Sequence, residues 1–278
     1  MCLLPGALVP LAGQMGSQQE VTALRFQGNQ EFPDEALANA IITRETECRS
    51  FILSPLCLAG VDFALDSHFL NERELRRDHA RVRLFYYLRG YREAVVDTLV
   101  VRPSEDEVRI TFRVEEGAPI EVVEVDFQGA EALPASFSLE NLPIQVGEPL
   151  SLIALDATID TLESRMRNRG FAHADALRYY FIPRERPYEA QVTFELYPGP
   201  LTRLGPVTVD ITAADGTEPS MEDEVVRRML PFQEGDLFRE DLQVAGQRNL
   251  YNLEIFRFVT FVPDTLTPPD SIMPLTIQ

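Results

Sequence analysis

Val108, Ile110, Phe112 and Val114 alternate with Arg109, Thr111 and Arg113. That strict period of two predicts a β-strand with one buried and one wet face. Upstream, Leu75, Val82, Phe85 and Tyr86 fall on one side of a helical period, with many arginines on the other. This helix is expected to begin near Asn71, an N-cap residue with Glu74 three positions on, and to stop at Gly90, a left-handed cap. Val95 to Val101 reads as a further strand, joined to the next by the acidic turn Pro103 to Glu107. At the front, Val21-Thr-Ala-Leu-Arg-Phe-Gln-Gly-Asn29 runs into glycine as a strand runs into a turn. Ala36, Leu37, Ala40 and Ile41 then share one face of a short helix opened by Pro33 and Asp34. The order is strand, helix, helix, strand, strand.

The same order recurs twice. Val123, Val125 and Phe127 lead to Gln128-Gly129 as Phe26 leads to Gln27-Gly28. Leu155, Ile159, Leu162 and Met166 predict a long helix, which ends at Arg169-Gly170-Phe171 as the earlier one ends at Arg89-Gly90-Tyr91. Ala174 to Ile182 and Ala190 to Tyr197 read as strands. Ile110-Thr-Phe-Arg-Val-Glu-Glu-Gly117 then lines up with Val192-Thr-Phe-Glu-Leu-Tyr-Pro-Gly199, each position 82 residues from its match. A third copy is expected from a strand at Val207 to Ile211, helices at Glu222 to Met229 and after Gly235-Asp-Leu-Phe238, and strands at Glu254 to Val262 and Ser271 to Gln278. In that copy Leu253-Glu-Ile-Phe256 replaces Arg-Gly-aromatic.

A repeat of this length is a duplicated small domain rather than a solenoid unit. The expected organisation is a leader over 1–19, a first domain over 20–117 with an insertion at 44–69, a second over 118–199 and a third over 200–278. The last strand stops where the earlier copies read on into Glu-Gly or Pro-Gly, so more protein is expected after Gln278.

Composition adds exclusions. The 278 residues carry 44 acidic and 25 basic side chains, a net charge of −19. Such a chain repels nucleic-acid phosphates, and no nucleic-acid partner is expected. No run of about 20 apolar residues is present, so no membrane-spanning helix is expected. The short apolar run Cys2 to Ala12 resembles the core of a secretory signal, although no Lys or Arg precedes it and two prolines interrupt it; the other reading is a disordered tail. Of three cysteines, Cys48 and Cys57 lie close together in the insertion, beside Phe51, Ile52, Leu53, Leu56 and Leu58, which are expected to pack as a small flap. In an exported chain that pair reads as a disulfide; the alternatives are buried free thiols or, with His68, a metal.

Nothing points to catalysis. The chain has no Gly-x-Ser-x-Gly, no His-Glu-x-x-His, no phosphate-binding glycine loop and no Cys-x-x-Cys. His68, His79 and His173 are too scattered for a ligand cluster. Glu115 and Glu116 are neighbours on a strand end and point to opposite sides. No enzyme, catalytic residue, cofactor or metal is expected.

The cassette order, with Phe-x-Gly-Asn after the first strand and Arg-Gly-Tyr before the second, resembles the POTRA (polypeptide-transport-associated) domain. Three in tandem look like the periplasmic arm of the BamA/TamA class of outer-membrane assembly proteins. The cysteine-bearing insertion departs from the general pattern, and the membrane β-barrel expected after such an arm is absent from this sequence. The resemblance implies an α+β fold of three tandem domains, each a three-stranded mixed sheet packed on two helices. It also implies a strand order of one–three–two, which leaves the second strand of each sheet at an edge, where an extended peptide can add.

The implied docking residues are Val95, Val96, Leu99 and Val101 in the first copy, Leu177, Tyr179, Tyr180 and Phe181 in the second, and Phe258, Val259 and Phe261 in the third. Tyr179 to Phe181 either line a groove beside the edge or fill the core with alternate members. The implied location is the periplasmic face of an outer membrane. The implied partners are unfolded β-barrel clients, periplasmic accessory proteins or lipoproteins, and a C-terminal membrane barrel. A two-partner-secretion or other transporter arm, or an exported docking module of the cell envelope, are the alternatives.

Overall fold

A computed structural model of the chain describes residues 19–50, 64–212, 222–263 and 271–278. The leader residues 1–18 lie outside it. So do Cys57 and the apolar residues expected to form the flap.

The alternating strand Glu107–Glu115 (β5) is the centre of the first sheet. Its even-numbered residues Val108, Ile110, Phe112 and Val114 are all buried. It pairs in parallel with Glu20–Gln27 (β1) and antiparallel with Val95–Val101 (β4), giving the order β1-β5-β4. Two helices, Asp34–Ala40 (α1) and Glu72–Tyr87 (α2), belong with this sheet. Leu37, Leu75, Val82, Phe85 and Tyr86 supply their share of one core. Asn71 caps α2 by accepting the N–H groups of Arg73 at 3.0 Å and Glu74 at 3.3 Å. A two-stranded ribbon, Glu47–Cys48 (β2) with Leu65–Asp66 (β3), closes the described part of the insertion. Cys48 is disulfide-bonded.

Two polar anchors in this core have no hydrophobic signature. Asp78, fully buried on α2, accepts the N–H groups of Ile42 (3.0 Å) and Thr43 (2.9 Å), the Thr43 hydroxyl (2.5 Å) and the Arg81 guanidinium (2.5 Å). It pins the chain leaving α1 against the second helix. Burial alone would raise its carboxyl; the bonds from Thr43, Ile42 and Arg81 outweigh burial and hold it below the usual carboxylate range. The buried Tyr86 donates to Glu116 Oε1 at 2.9 Å, and the same oxygen accepts the Glu31 N–H at 3.1 Å. Burial, with that carboxylate beside it, raises the Tyr86 phenol well above its ordinary value.

The second sheet repeats the first. Glu121–Gln128 (β6), Asp175–Phe181 (β7) and Glu189–Tyr197 (β8) are ordered β6-β8-β7, with β6 parallel and β7 antiparallel to β8. Leu152–Arg167 (α3) turns Leu155, Thr158, Leu162 and Met166 fully inward. The first helix expected in each copy is replaced here by a single 3₁₀ turn at Ala130–Ala132 and an irregular segment. Pro134 matches Pro33, which opens α1, but Ser138 stands where α1 has its buried Leu37, so the stretch lacks the apolar anchor of a packed helix. Its backbone is satisfied by α3 instead: Arg165 donates to the carbonyls of Ser138, Glu140 and Asn141, and Thr158 Oγ1 accepts the Ile144 N–H. Leu133, Leu142 and Ile144 fill the space a helix would fill.

The third sheet, Phe261–Pro263 (β10), Ile272–Ile277 (β11) and Arg203–Val209 (β9), has the order β10-β11-β9 and carries Asp223–Met229 (α4) and Glu240–Tyr251 (α5). The strand expected over Glu254 to Val262 shrinks to the three residues of β10. Glu254 stands in the left-handed region (φ 58°) where the other copies place glycine, and the chain after it is irregular.

The chain divides into two compact units, one ending at Ala118 and one beginning at Pro119. The second holds two cassettes, and a seam joins them. The Thr202 N–H donates to the Gly170 carbonyl at 2.7 Å, the Asp241 N–H to Asn168 Oδ1 at 2.8 Å, and Arg167 reaches both Glu163 (2.7 Å) and Glu240 (3.4 Å). Gly170, at φ 99°, lies under Leu201 and Leu237, whose side-chain carbons would stand 2.7–2.8 Å from any Cβ placed there.

Candidate strand-docking edges

A sheet edge shows every second backbone N–H and C=O to the outside, where another strand can bond them. β4 and β7 hold that position in their sheets: each pairs on one side, with β5 and β8, and has no strand neighbour on the other among the described residues. β10 is also at an edge but is three residues long.

Side chains follow the two-residue alternation. On β4, Val95, Leu99 and Val101 are exposed while Val96 is 6% exposed and sits in the core. Val96 therefore helps form the sheet rather than the docking surface. On β7, Leu177, Tyr179 and Phe181 line the outer face, Tyr179 at 51% and Phe181 at 62% exposed. Tyr180, on the other side of the strand, is 38% exposed. The triplet thus avoids the core, which the smaller Ala176 enters in its place.

The third set behaves differently. Phe258 is 81% exposed, Val259 is 3% exposed, and neither is in a strand. The Val259 N–H donates to Tyr251 Oη at 3.1 Å, and its carbonyl accepts Gln247 Nε2 at 2.6 Å. The Val259 backbone is thus already bonded by its own chain. Phe261 is half-buried in β10 and packs edge-on against Phe232 at 5.9 Å.

The groove between each edge strand and its long helix is bridged at one equivalent point. Thr98, the fourth residue of β4, lies 3.2 Å from His79 Nδ1 of α2. Arg178, the fourth residue of β7, grips Asp156 of α3 at 2.7 Å. Near the start of β7, the Ala176 N–H donates to Glu163 Oε1 at 3.2 Å and Asp175 Oδ1 at 2.9 Å. That N–H therefore points away from β8, and by alternation so does that of Arg178. On β4 the Thr98 N–H is held by Asp97 Oδ1 at 2.8 Å. These carboxylates shield the edges from uninvited pairing. Sequence periodicity missed Asp156, Glu163 and Asp97 because they sit on polar faces, where hydrophobic spacing carries no signal about which groups they meet.

At the far end of the second sheet, Tyr197 donates to Glu195 Oε2 at 2.6 Å, and that bond raises its phenol. Among the described residues no group of three or more His, Cys, Asp or Glu side chains is placed to hold a metal. No described helix is long and apolar enough to cross a membrane.

Comparison with known proteins falls on the same repeat. Residues 19–117 and 120–199 each match the family model described as POTRA, surface antigen variable number repeat. The chain is 23% identical over 265 residues to a provisionally named outer membrane protein assembly factor of Treponema pallidum (strain Nichols), covering 93% of this chain and 29% of that protein. It is 23% identical over 237 residues to the outer membrane protein assembly factor BamA of Neorickettsia risticii (strain Illinois), covering 85% and 29%. It thus spans under a third of the length of these curated relatives. The crystal structure of Haemophilus influenzae BamA POTRA3-5 superposes with a TM-score of 0.54 at 16% identity, covering 98% of each chain, a likeness of fold.

Proposed function

From the premise that this chain belongs to the POTRA family, we propose that it is the periplasmic binding arm of an outer-membrane protein assembly factor. It takes up extended segments of unfolded β-barrel clients, and docks accessory proteins, by strand addition along β4 and β7. It performs no catalysis and needs no cofactor; the membrane barrel belongs to another part of the full-length protein. The names of its relatives from Treponema and Neorickettsia support this reading. The disulfide bond of Cys48, whose expected partner Cys57 lies outside the described residues, accords with an exported location.

One observation carries the proposal: two copies of one sheet each leave the second strand at an edge, rimmed by exposed Val95, Leu99 and Val101 or Leu177, Tyr179 and Phe181. Backbone bonding at such an edge is indifferent to client sequence, while alternate side chains add apolar contact. A barrel strand, with about ten residues of alternating polarity, has the matching period.

Arg178→Pro tests this directly. Proline there removes an outward N–H without touching the β7–β8 ladder. A labelled ten-residue peptide of alternating apolar and polar residues should bind at least tenfold more weakly than to Arg178→Ala, with the circular dichroism of both variants unchanged. Equal affinities would remove β7 as the site of pairing.

A further inference from the structure

The two duplicated sheets turn faces of opposite charge to solvent at matched positions. Around the paired threonines Thr111 and Thr193, each sheet has the same neighbours in register. In the first, Arg25 lies beside Thr111 across β1–β5, with Arg109 and Arg113 two residues to either side on β5. In the second, Asp126 lies beside Thr193, with Gln191 and Glu195 at those two positions. Ala23 beside Arg109 becomes Glu124 beside Gln191, and these two are hydrogen-bonded at 2.9 Å. Three arginines on one copy thus correspond to Asp126, Gln191 and Glu195 on the other.

Arg25, Arg109 and Arg113 are all exposed. No described carboxylate is within ion-pairing distance of any of them, although Asp97 and Glu115 share their face and Arg76, Arg77, Arg81 and Arg102 of the same unit are each ion-paired. Their guanidinium groups therefore keep their donors available to an external carboxylate, which arginine binds as a fork.

We propose that the solvent face of the first sheet is a docking surface for an acidic polypeptide, held through Arg25, Arg109 and Arg113, and that the second sheet excludes the same partner. The spacing selects the ligand. Arg109 and Arg113 stand about 13 Å apart along an extended strand, and Arg25 about 5 Å to the side, so the partner presents two or three carboxylates over that span. Exposed Val95, Leu99 and Val101 border the face on β4 and offer it apolar contact. A chain of net charge −19 repels an acidic partner over much of its surface, which favours approach to a cationic patch. The same charge opposes an anionic bilayer. Docking on the face leaves the β4 backbone edge open; it shares Val95, Leu99 and Val101 with strand addition but is distinguished from it by its dependence on Arg109 and Arg113.

The test uses the full chain, amide NMR and a capped 12-residue peptide of alternating Glu and Thr, with its Lys counterpart and phosphatidylglycerol vesicles as the other probes. The Glu peptide should shift the amides of Arg109 to Arg113 and leave those of Gln191 to Glu195 unmoved, and binding should weaken on going from low to high salt. R109E/R113E should lower the affinity at least tenfold, R109Q/R113Q should give a smaller loss in a sheet of unchanged fold, and D126R/E195R should create a second site. The proposal is overturned if the Glu peptide leaves the first face unshifted, if charge reversal leaves its affinity unchanged, or if the vesicles bind through these arginines and the peptide does not.

Discussion

Gly28 sits against the carbonyl oxygen of Val114, and a Cβ on it would lie 2.2 Å from that oxygen. One repeat later Gly129 meets the carbonyl of Leu196 at the same 2.2 Å, and both glycines have positive φ. In these two cassettes the first strand can turn away beside the third strand only because nothing projects there. Gly28→Ala should destabilise the first unit by more than about 2 kcal/mol, from left-handed strain plus the clash. Urea unfolding followed by the near-ultraviolet signal of its tyrosines would measure this.

Asp78 makes the first unit acid-sensitive. Its folded-state carboxyl lies below the ordinary value of 3.8. The stability it confers is therefore complete above that value and is lost as pH falls through the lower folded-state value. Asp78→Ala, which orphans the N–H groups of Ile42 and Thr43, should cost about 2–4 kcal/mol at neutral pH and flatten the acid limb of the stability curve. Thermal melts of both proteins between pH 2 and pH 7 compare the two limbs.

Phe258 and Val259 should respond in opposite ways. Val259→Ala removes buried volume and should cost about 1–2 kcal/mol. Phe258→Ala, on an 81% exposed residue, should change stability by under about 0.5 kcal/mol. Neither should alter the affinity for an alternating peptide. A loss of peptide binding in Phe258→Ala would return this segment to the docking surface.

Gly170 governs the seam in the second unit. Gly170→Ala puts a methyl group into Leu201 and Leu237 at a positive φ. It should loosen the bonds Thr202 makes to Gly170 and Asp241 to Asn168. Calorimetry should then split one transition for the second and third cassettes into two, and limited proteolysis should begin to cut near Leu201.

Much of the fold was legible because periodicity is local. The alternation through Val108 to Val114, the stripe Leu155 to Met166 and the glycines at the ends of helices and strands all fell where expected. The first helix of the second cassette did not form, since Ser138 stands where a simple repeat of the first copy places the buried Leu37. The strand expected from Glu254 failed for a related reason: once glycine was lost from the helix end, local pattern no longer showed where the chain would turn.

The docking edges divide the same way. Duplication in the text marked Val95 to Val101 and Ala174 to Ile182 as repeated strands, and the resemblance to POTRA domains implied that they lie at edges. Which side chains face out was decided in three dimensions, where Ala176 enters the core on the side of Tyr180 and Leu177, Tyr179 and Phe181 take the outer face. The grip of Arg178 on Asp156, the bonding of Val259 by Tyr251 and Gln247, and the gathering of Arg25 with Arg109 and Arg113 join residues from separate elements. Hydrophobic spacing is written along one strand or helix and survives in the linear chain. Contacts between polar groups on different elements depend on register and packing, and those exist only once the sheets have formed.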